Sequence, residues 1–393
     1  MYSWLSQGLA LFAKTGGSVK VAHSLGEQNM EAAVSYATAA IQIGILFALL
    51  FGTGVLLMAP DLIKLIGISD PSSIQDSVSY ARITCGLVIF SFMNMIFTGL
   101  FTAMGNSQVP FYANTLGLFI NIFLDPVLIF GLGPFPRMGV TGAAIATVFA
   151  QFIVMSVFLY HILQDEWIFR KIRLQKWQKG PFYGQIIKIG FPTGIQNMIY
   201  SMISMVLSRL AAGFGDNALA VMRLGSQIES VSWVTSDGFN ASLNAFVGQN
   251  YGARQYKRVQ KGFYLACMVM LVWGVFSSCL LIFGAEPIFS LFISDQEVIP
   301  MGVTYLSILG FSQMFMCIEI LGVGTFAGLG RTLPASVISI TLTGMRIPLA
   351  VILTKSVLGL TGIWWAFTST SIIKGIVFFV CCHFMLKKLV KNN

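Results

Sequence analysis

Four acidic side chains stand inside long apolar stretches of this sequence and are the first candidates for chemistry. A carboxylate at the centre of a membrane-spanning helix costs about 2.5–3.5 kcal/mol on insertion scales, so each needs a functional or a structural reason to be there. A local cap or a salt bridge is the structural reason to weigh against a bound cation or substrate. The four residues are Asp125, Glu229, Asp237 and Glu319.

Asp125 stands in the richest polar setting of the four. Asn114, Asn121 and Asp125 are spaced by seven and four residues, which places them on one helical face. Pro126 has no N–H and cannot bond the carbonyl of Ile122. One helix therefore offers a carboxylate, an amide oxygen and a freed carbonyl. Such hard oxygen ligands suit Na⁺, and the carboxylate alone could take a proton. The structural alternative is an aspartate that ends or kinks the helix and is capped locally.

The other three acids are open to two explanations. Glu319 has no basic residue within one turn, so it either faces a water-filled cavity or pairs with a cation on another helix. Glu229 and Asp237 are eight residues apart, roughly on one face of a helix that also carries Arg223. A buried salt-bridged cluster is the structural alternative there. The pattern predicts that Glu319, Glu229 and Asp237 contribute to a substrate or coupling site.

The amino-acid composition indicates which kind of secondary structure carries these four acidic side chains. Of 393 residues, 56% are hydrophobic and 10% are charged. Soluble domains are about 25% charged, so a water-soluble fold is excluded. Apolar stretches of about 20 residues, enough to cross a bilayer as a helix, recur along the chain. The sequence predicts an all-α polytopic membrane protein with about eleven transmembrane helices, near residues 1–22, 35–59, 77–104, 110–131, 139–163, 184–213, 217–247, 258–284, 298–328, 333–354 and 361–386.

Basic residues are shared unequally between the two sides of the membrane. If the helices alternate direction and the loop 161–188 is cytoplasmic, the inner side collects sixteen Lys and Arg residues and the outer side four. This is a strong positive-inside bias. We therefore expect a bacterial plasma (inner) membrane protein with a cytoplasmic C-terminus. The net charge of +9 reflects topology, and no nucleic-acid partner is expected.

A basic and partly apolar segment separates two halves of the chain. Residues 164–183 place Trp167, Ile172 and Trp177 among Lys and Arg residues. This pattern predicts an amphipathic segment at the inner membrane interface, and a plain linker is the alternative. The predicted domains are an N-terminal transmembrane lobe at 1–163, the cytoplasmic linker at 164–183 and a C-terminal transmembrane lobe at 184–393.

The two lobes carry matching motifs in the same order. Residues 138–142 match 358–362, residues 109–110 match 333–334, and residues 21–26 match 247–252, at offsets of 220, 224 and 226. Repeated halves are the architecture of many secondary transporters, whose site lies near the bilayer midplane. At an offset of 226, Met1 aligns with Gln227. We therefore expect two pseudo-symmetric six-helix bundles, of which the first is truncated and lacks its opening helix.

These motifs resemble the multidrug and toxic compound extrusion (MATE) transporter family. The resemblance extends from that family's second helix over the rest of the chain. The strongest stretch looks like the family's VGQNxGA signature, and three weaker ones occur in the expected order. The four stretches are FVGQNYGA at 246–253, RLGSQIES at 223–230, LDP at 124–126 and GAAIAT at 142–147.

The resemblance implies a twelve-helix, two-lobed exporter that alternates between inward and outward openings and is driven by inward Na⁺ or H⁺ flow. It implies a cation site in the N-terminal lobe at Asn121, Asp125, Ala143 and Thr147. It also implies that Glu319 matches an acidic position of the C-terminal lobe, used for coupling or for a cationic substrate. The expected partners are small amphipathic or cationic compounds and membrane lipid. We expect a monomer with no cofactor apart from the coupling ion.

Other functions are less consistent with the sequence. A lipid-linked oligosaccharide flippase of similar architecture should carry more cations in its central cavity to hold a diphosphate. The candidates are only Arg209, Arg223, Arg346 and Lys374. A truncated, inactive chain is the other alternative. An enzyme is not expected, because no Ser/His, His/Glu or paired-aspartate arrangement occurs at useful spacing.

Overall fold

The chain folds entirely into helices over the residues that the structure describes. A computed structural model describes residues 2–64, 71–165, 168–293, 295–296 and 298–392. It divides the chain into two compact units, Met1–Gly194 and Ile195–Asn393. The predicted C-terminal lobe begins at residue 184, whereas in the structure residues 184–194 pack with the first unit. Trp167, from the predicted amphipathic segment, lies outside the described residues.

The first unit holds six helices, a short 3-10 helix and the start of a seventh helix. Four of the predicted helices correspond to single elements, and the helix predicted at 77–104 is divided into α3 and α4. The elements are α1 Tyr2–Gly26, α2 Met30–Lys64, α3 Pro71–Gly86, α4 Ile89–Ala103, α5 Gln108–Phe130, α6 Gly139–Gln164, the 3-10 helix Phe169–Lys171 and α7 Gly180–Ala212, which continues into the second unit.

The second unit has the same order of elements with further breaks. The helices predicted at 298–328 and 333–354 are each divided in two, and the short helix α10 has no counterpart in the prediction. The elements are α8 Asp216–Gly252, α9 Tyr256–Phe283, α10 Ala285–Ser290, α11 Ile299–Gly310, α12 Gln313–Gly328, α13 Thr332–Gly344, α14 Arg346–Thr354 and α15 Thr361–Lys391.

Not all eleven predicted spans are apolar enough to cross a membrane on their own. In the described part of the chain six spans qualify by length and composition, namely α2, α5, α6, α9, the joined α13–α14 and α15. Two bent pairs, α3–α4 and α11–α12, raise the number to eight. The other three predicted spans, α1, α7 and α8, fall short because polar and charged side chains interrupt their apolar surface. Polar faces of this kind need cover from neighbouring helices or a wet cavity.

The same backbone conformations recur at matched positions of the two units. Gln28 and Arg254 are the two described non-glycine residues with positive φ, at 58° and 56°, and they are 226 residues apart. Gly139 and Gly359, in the motif pair with an offset of 220, have φ of 53° and 51°. The bends are matched too, at 43° for α3–α4 and 50° for α11–α12. The internal repeat predicted from the sequence is confirmed in the local backbone.

Small residues in the core let the helices of the first unit approach closely. A Cβ added to Gly17 would lie 2.5 Å from the Cβ of Ala40, and one added to Gly190 would meet the backbone of Phe12. Other large apolar side chains point outward: Leu57 is 81% exposed and Phe123 is 70% exposed. Lipid tails are as apolar as leucine, so helices in a bilayer associate through close packing of small residues. The structure shows both features of a membrane protein, namely small residues at the helix contacts and large apolar side chains on its surface.

The segment between α6 and α7 is held against the first unit. Phe169 is buried and its ring centroid lies 4.7 Å from that of Phe101. The amide of Gln42 on α2 donates to the carbonyls of Leu174 and Lys176 at 2.9 and 3.1 Å. Trp177 is exposed and lies among basic residues. An anchored chain with an exposed Trp between Lys and Arg side chains is consistent with the predicted membrane interface.

Replacing Gly142 by alanine is expected to destabilise the packing of α6 against α5. A Cβ at Gly142 would lie 2.6 Å from the carbonyl oxygen of Leu128, a backbone atom that cannot move away alone. We expect a loss of about 1–3 kcal/mol, seen as a lower thermal unfolding midpoint of the purified protein. Gly54→Ala is the matched control, because nothing lies within 4 Å of its added Cβ. Equal midpoints for the two variants would contradict the close crossing.

Candidate functional site

The carboxylate of Asp125 is held by its own helix. The Asn121 Nδ2 donates to the Asp125 Oδ1 at 3.2 Å, one turn away on α5. Asp125 is half-buried. The helix continues past Pro126 to Phe130, so Asp125 does not end it. Asn114, the third polar residue of this face, is exposed and donates to the carbonyl of Pro110 at 2.7 Å. The structure thus keeps Asn121 and Asp125 together and leaves Asn114 outside the pair.

The second pair of predicted cation ligands lies on α6. The Thr147 Oγ1 donates to the carbonyl oxygen of Ala143 at 2.9 Å. Gly142 packs against the carbonyl of Leu128 on the antiparallel helix α5. Counting from that crossing at 1.5 Å per residue, Asp125 on α5 lies about 4.5 Å along its helix, level with the span between Ala143 and Thr147 on α6. The two local pairs are therefore at one height of the first unit.

Glu319 is paired across helices in the second unit. The Nζ of Lys374 on α15 lies 2.7 Å from the Oε1 of Glu319 on α12. The side chains are 4% and 13% exposed, respectively, so the ion pair is largely shielded. Of the two explanations open for Glu319, pairing with a cation on another helix is the one observed. The signal available in the sequence was Lys374 itself, a lone cation within an apolar helix.

A second buried cation lies near the pair, at the start of α14. The Arg346 Nε and Nη2 donate to the hydroxyls of Thr370 and Ser371 on α15, both at 2.9 Å. The guanidinium also lies over the ring of Phe367, 4.9 Å from its centroid, and 6.0 Å from the centroid of Tyr200. Neutral hydroxyls and π faces orient a cation without neutralising it. Ser371 and Lys374 are three residues apart on α15, so the guanidinium lies within about one helical turn of the Lys374–Glu319 pair.

Glu229 on α8 is tied to α12 through an amide. The Gln313 Nε2 donates to the Glu229 Oε1 at 2.9 Å and to the carbonyl of Leu309 at 3.1 Å. The Oε1 of Gln313 is buried and has no hydrogen-bond partner in the described part of the chain. Gln313 was missed from the sequence, because no local spacing links it to a residue 84 positions earlier. The second unit thus holds two acids, Glu229 and Glu319, two buried cations, Arg346 and Lys374, and the buried Oε1 of Gln313 as a further hydrogen-bond acceptor.

Asp237 and Arg223 stand apart from this buried set. Both are exposed on α8. The buried salt-bridged cluster considered for Arg223 is therefore wrong, since the buried arginine is Arg346. Asp237 lies eight residues from Glu229 on the same helix, as the sequence indicates, and its side chain is exposed. Of the three candidate acids in the second unit, Glu229 and Glu319 bind the buried side chains of Gln313 and Lys374, and Asp237 is exposed.

Apolar helices in two repeated units, with charged side chains buried among them, define a polytopic membrane transporter. The MatE family matches the chain over residues 1–127 and 192–352. The chain belongs to this family, the MATE transporters, whose members are not enzymes.

Relatives extend over most of the chain. A protein named probable multidrug resistance protein NorM, of Thermotoga maritima, is 29% identical and covers 92% of this chain and 78% of its own length. A FAD transporter of Shewanella oneidensis is 26% identical over 97% of this chain and 83% of its own length. The fold is similar to a crystal structure of MATE in complex with MaL6, with a TM-score of 0.92 at 21% identity, covering 99% and 87% of the two chains. That likeness shows the fold alone.

Proposed function

We propose that this chain is an antiporter that exports small amphipathic, often cationic compounds by alternating access, coupled to inward flow of Na⁺ or H⁺. The observation that carries the proposal is Asp125, a half-buried carboxylate held by Asn121 in the last two turns of the membrane-spanning helix α5. Its proposed ligand set is completed by Thr147 and Ala143 at the same height on α6. No cofactor is needed besides the coupling ion.

Coupling follows from the charge of Asp125. A carboxylate in an apolar setting is tolerated when a cation neutralises it or a proton occupies it. The bound and unbound states then favour different arrangements of the surrounding helices, and a ligand shifts an equilibrium only by its differential affinity for the two states. Asn121 supplies an amide beside the carboxylate, and Pro126 frees a backbone carbonyl one turn earlier. Cation binding on one side of the membrane would drive the change that releases the substrate.

The second unit offers a way to bind a cationic substrate. Glu319 is paired with Lys374 in the structure. A substrate cation that displaces the Lys374 ammonium would keep Glu319 paired while freeing the lysine charge. Glu229, with the spare acceptor of Gln313 beside it, and the accessible Asp237 are the further candidates for substrate or coupling contacts. Displacement of an internal partner is a general way for a site to respond to its ligand.

The proposed setting is a bacterial plasma membrane. Sixteen basic residues on one side against four on the other support a cytoplasmic C-terminus. We propose that the chain works as a monomer, because the candidate residues of each unit are contributed by helices of this one chain.

The relatives' names favour two substrate classes. Several relatives are named as multidrug resistance proteins, and one that covers 97% of this chain is named as a FAD transporter. The buried guanidinium of Arg346, oriented by hydroxyls and rings, is the feature that favours an anionic compound as the second candidate. A flippase for lipid-linked oligosaccharides is less consistent with the structure, because Lys374 is already paired and Arg223 is exposed.

Flux in vesicles tests the proposal. Purified protein would be placed in liposomes with an imposed Na⁺ or proton gradient, and movement of a fluorescent cationic dye and of FAD would be followed in parallel. We expect transport of the cationic dye against its own gradient under at least one of the two cation gradients, with none in protein-free liposomes. Transport of FAD alone would select the second candidate. Movement of neither compound, or movement that ignores both cation gradients, would contradict the proposed antiport.

A further inference from the structure

The second unit has an apolar trough whose lining includes none of its charged side chains. It is a cavity of about 460 Å³ between α9, α12 and α15. Phe315 on α12 is half-buried and lines the cavity. Met268 and Leu271 on α9 and Ile376 and Phe379 on α15 line it too, and we call these two pairs its rims. All four rim residues are exposed. We call this cavity the trough.

One end of the trough is marked by a polar bond between its two rims. The Tyr264 hydroxyl on α9 and the Nδ1 of His383 on α15 are 2.8 Å apart. The two helices run antiparallel, because earlier residues of α9 are level with later residues of α15. Lys261 lies one turn before Tyr264, and Lys387 lies one turn after His383. Both lysines are therefore at the same end, just beyond the polar bond, and both are exposed.

The two lysines continue the two rims of the trough. Lys261 and Met268 are seven residues apart on α9, which is about 20° around the helix. Ile376 and Lys387 are eleven residues apart on α15, again about 20° around the helix. Each rim therefore runs from apolar side chains, past the polar bond, to one ammonium group. An apolar groove that ends in positive charge complements an anionic phospholipid, which has an apolar acyl chain and a negatively charged headgroup.

We propose that the trough binds one acyl chain of an anionic glycerophospholipid, whose phosphate is held by Lys261 and Lys387. α9 and α15 are both long and apolar enough to cross a membrane, and the four exposed side chains at the rims of the trough are apolar, which suits contact with lipid tails. Apart from Tyr264, whose hydroxyl bonds His383 at one end, the residues that line the trough are apolar and offer nothing to orient a polar compound. The charge at the rim selects an anionic headgroup over a zwitterionic one.

A general positive-inside bias would also place lysines at this end of the helices. The proposal therefore depends on where around its helix each lysine lies. Lys388 is the matched control, because it is exposed on the same turn of α15 but lies about 100° further around the helix than Lys387. If the bias alone attracts anionic lipid, Lys387 and Lys388 contribute equally. If the trough positions the lipid, only Lys387 contributes.

Native mass spectrometry of the delipidated protein tests the proposal, with dioleoyl phosphatidylglycerol and dioleoyl phosphatidylcholine as probes. We expect one tightly bound phosphatidylglycerol. Its affinity should fall about fivefold for Lys261→Gln or Lys387→Gln and about thirtyfold for both, while that of phosphatidylcholine stays the same. Lys388→Gln should bind like the unchanged protein. Filling the trough with Leu271→Trp should weaken both lipids.

Three results would overturn the proposal. The first is an unchanged preference for phosphatidylglycerol in the double variant. The second is a loss with Lys388→Gln equal to that with Lys387→Gln. The third is unaltered lipid binding in Leu271→Trp accompanied by a change in dye binding or in the fraction of dimer, since the trough would then hold a substrate or a second copy of the chain. Thermal midpoints of all variants would be compared, so that lipid loss is read only from folded protein.

Discussion

Asp125→Asn is expected to abolish gradient-driven export while leaving the fold intact. Asparagine keeps the shape of the side chain and one acceptor oxygen for the Asn121 amide. It removes the charge that a cation must neutralise or a proton must occupy. We expect transport in liposomes to fall at least tenfold, to the passive leak, with an unchanged thermal midpoint. Initial rates under an imposed Na⁺ or proton gradient measure the effect.

Three further variants serve as comparisons for the effect of Asp125→Asn on export. Asn121→Ala removes one neutral ligand, so it should raise the cation concentration needed for half-maximal export about tenfold without abolishing transport. Asn114→Ala is its matched control on α5, because the Asn114 amide is already used by the Pro110 carbonyl. Asp76→Asn removes an exposed carboxylate on α3 and should leave export unchanged. Export by Asp125→Asn at the unchanged protein's rate under both gradients would move the coupling site elsewhere.

Breaking the Lys374–Glu319 pair is expected to cause the largest loss of stability. The two atoms are 2.7 Å apart and both side chains are largely shielded, so either single replacement leaves one charge buried without its partner. Lys374→Met or Glu319→Gln should lower the free energy of unfolding by about 3–5 kcal/mol. The double variant should recover much of that loss, because no unpaired charge remains. Denaturant titration of the purified protein, read as a double-mutant cycle, measures the coupling.

The same cycle separates a structural pair from a functional one. If Glu319 also holds a cationic substrate, the double variant should be stable but should bind the dye more weakly than the unchanged protein does. Additive losses in the cycle would show that the two side chains do not depend on each other. Equal dye binding in a stable double variant would remove Glu319 from the proposed substrate site.

The helices and the repeat could be predicted because both are visible as patterns in the sequence itself. Each helix is a local apolar run, and the repeat is a set of short motifs that recur in the same order. Apolar runs of about 20 residues bounded by Gly, Pro and charge define helices in a bilayer. The motif offset of 226 also predicts where the backbone should be equivalent, and Gln28 and Arg254 have φ within 2° of each other. The Asn121–Asp125 pair is equally local, since residues four apart face each other on a helix.

The breaks between α3 and α4 and between α11 and α12 could not be predicted, because the residues packed against them lie on other helices. Gly86 ends α3 and Gly310 ends α11, yet neither break has a proline nearby. A Cβ on Gly86 would meet the side chain of Leu56 on α2, and one on Gly310 would meet Ile282 on α9. These contacts join residues far apart in the chain, and no periodicity within the helix carries them.

The hydrogen-bond and ion-pair partners of Glu319 and Glu229 could not be predicted for the same reason. Lys374 is 55 positions from Glu319, and Gln313 is 84 positions from Glu229. The sequence indicated that each buried acid needs compensation, but only packing decides which cation or amide supplies it. Arg223 illustrates the opposite case, since it shares a helix with Glu229 and is exposed.

The exchange ratio is the most direct test of cation-coupled export at Asp125. In one liposome preparation, outward movement of the cationic dye and inward movement of ²²Na⁺ or of protons would be recorded together. We expect a fixed ratio of cations to dye molecules that is independent of gradient size, with both fluxes lost together in Asp125→Asn. Dye export without any matching cation movement, or a ratio that Asp125→Asn leaves unchanged, would contradict the account.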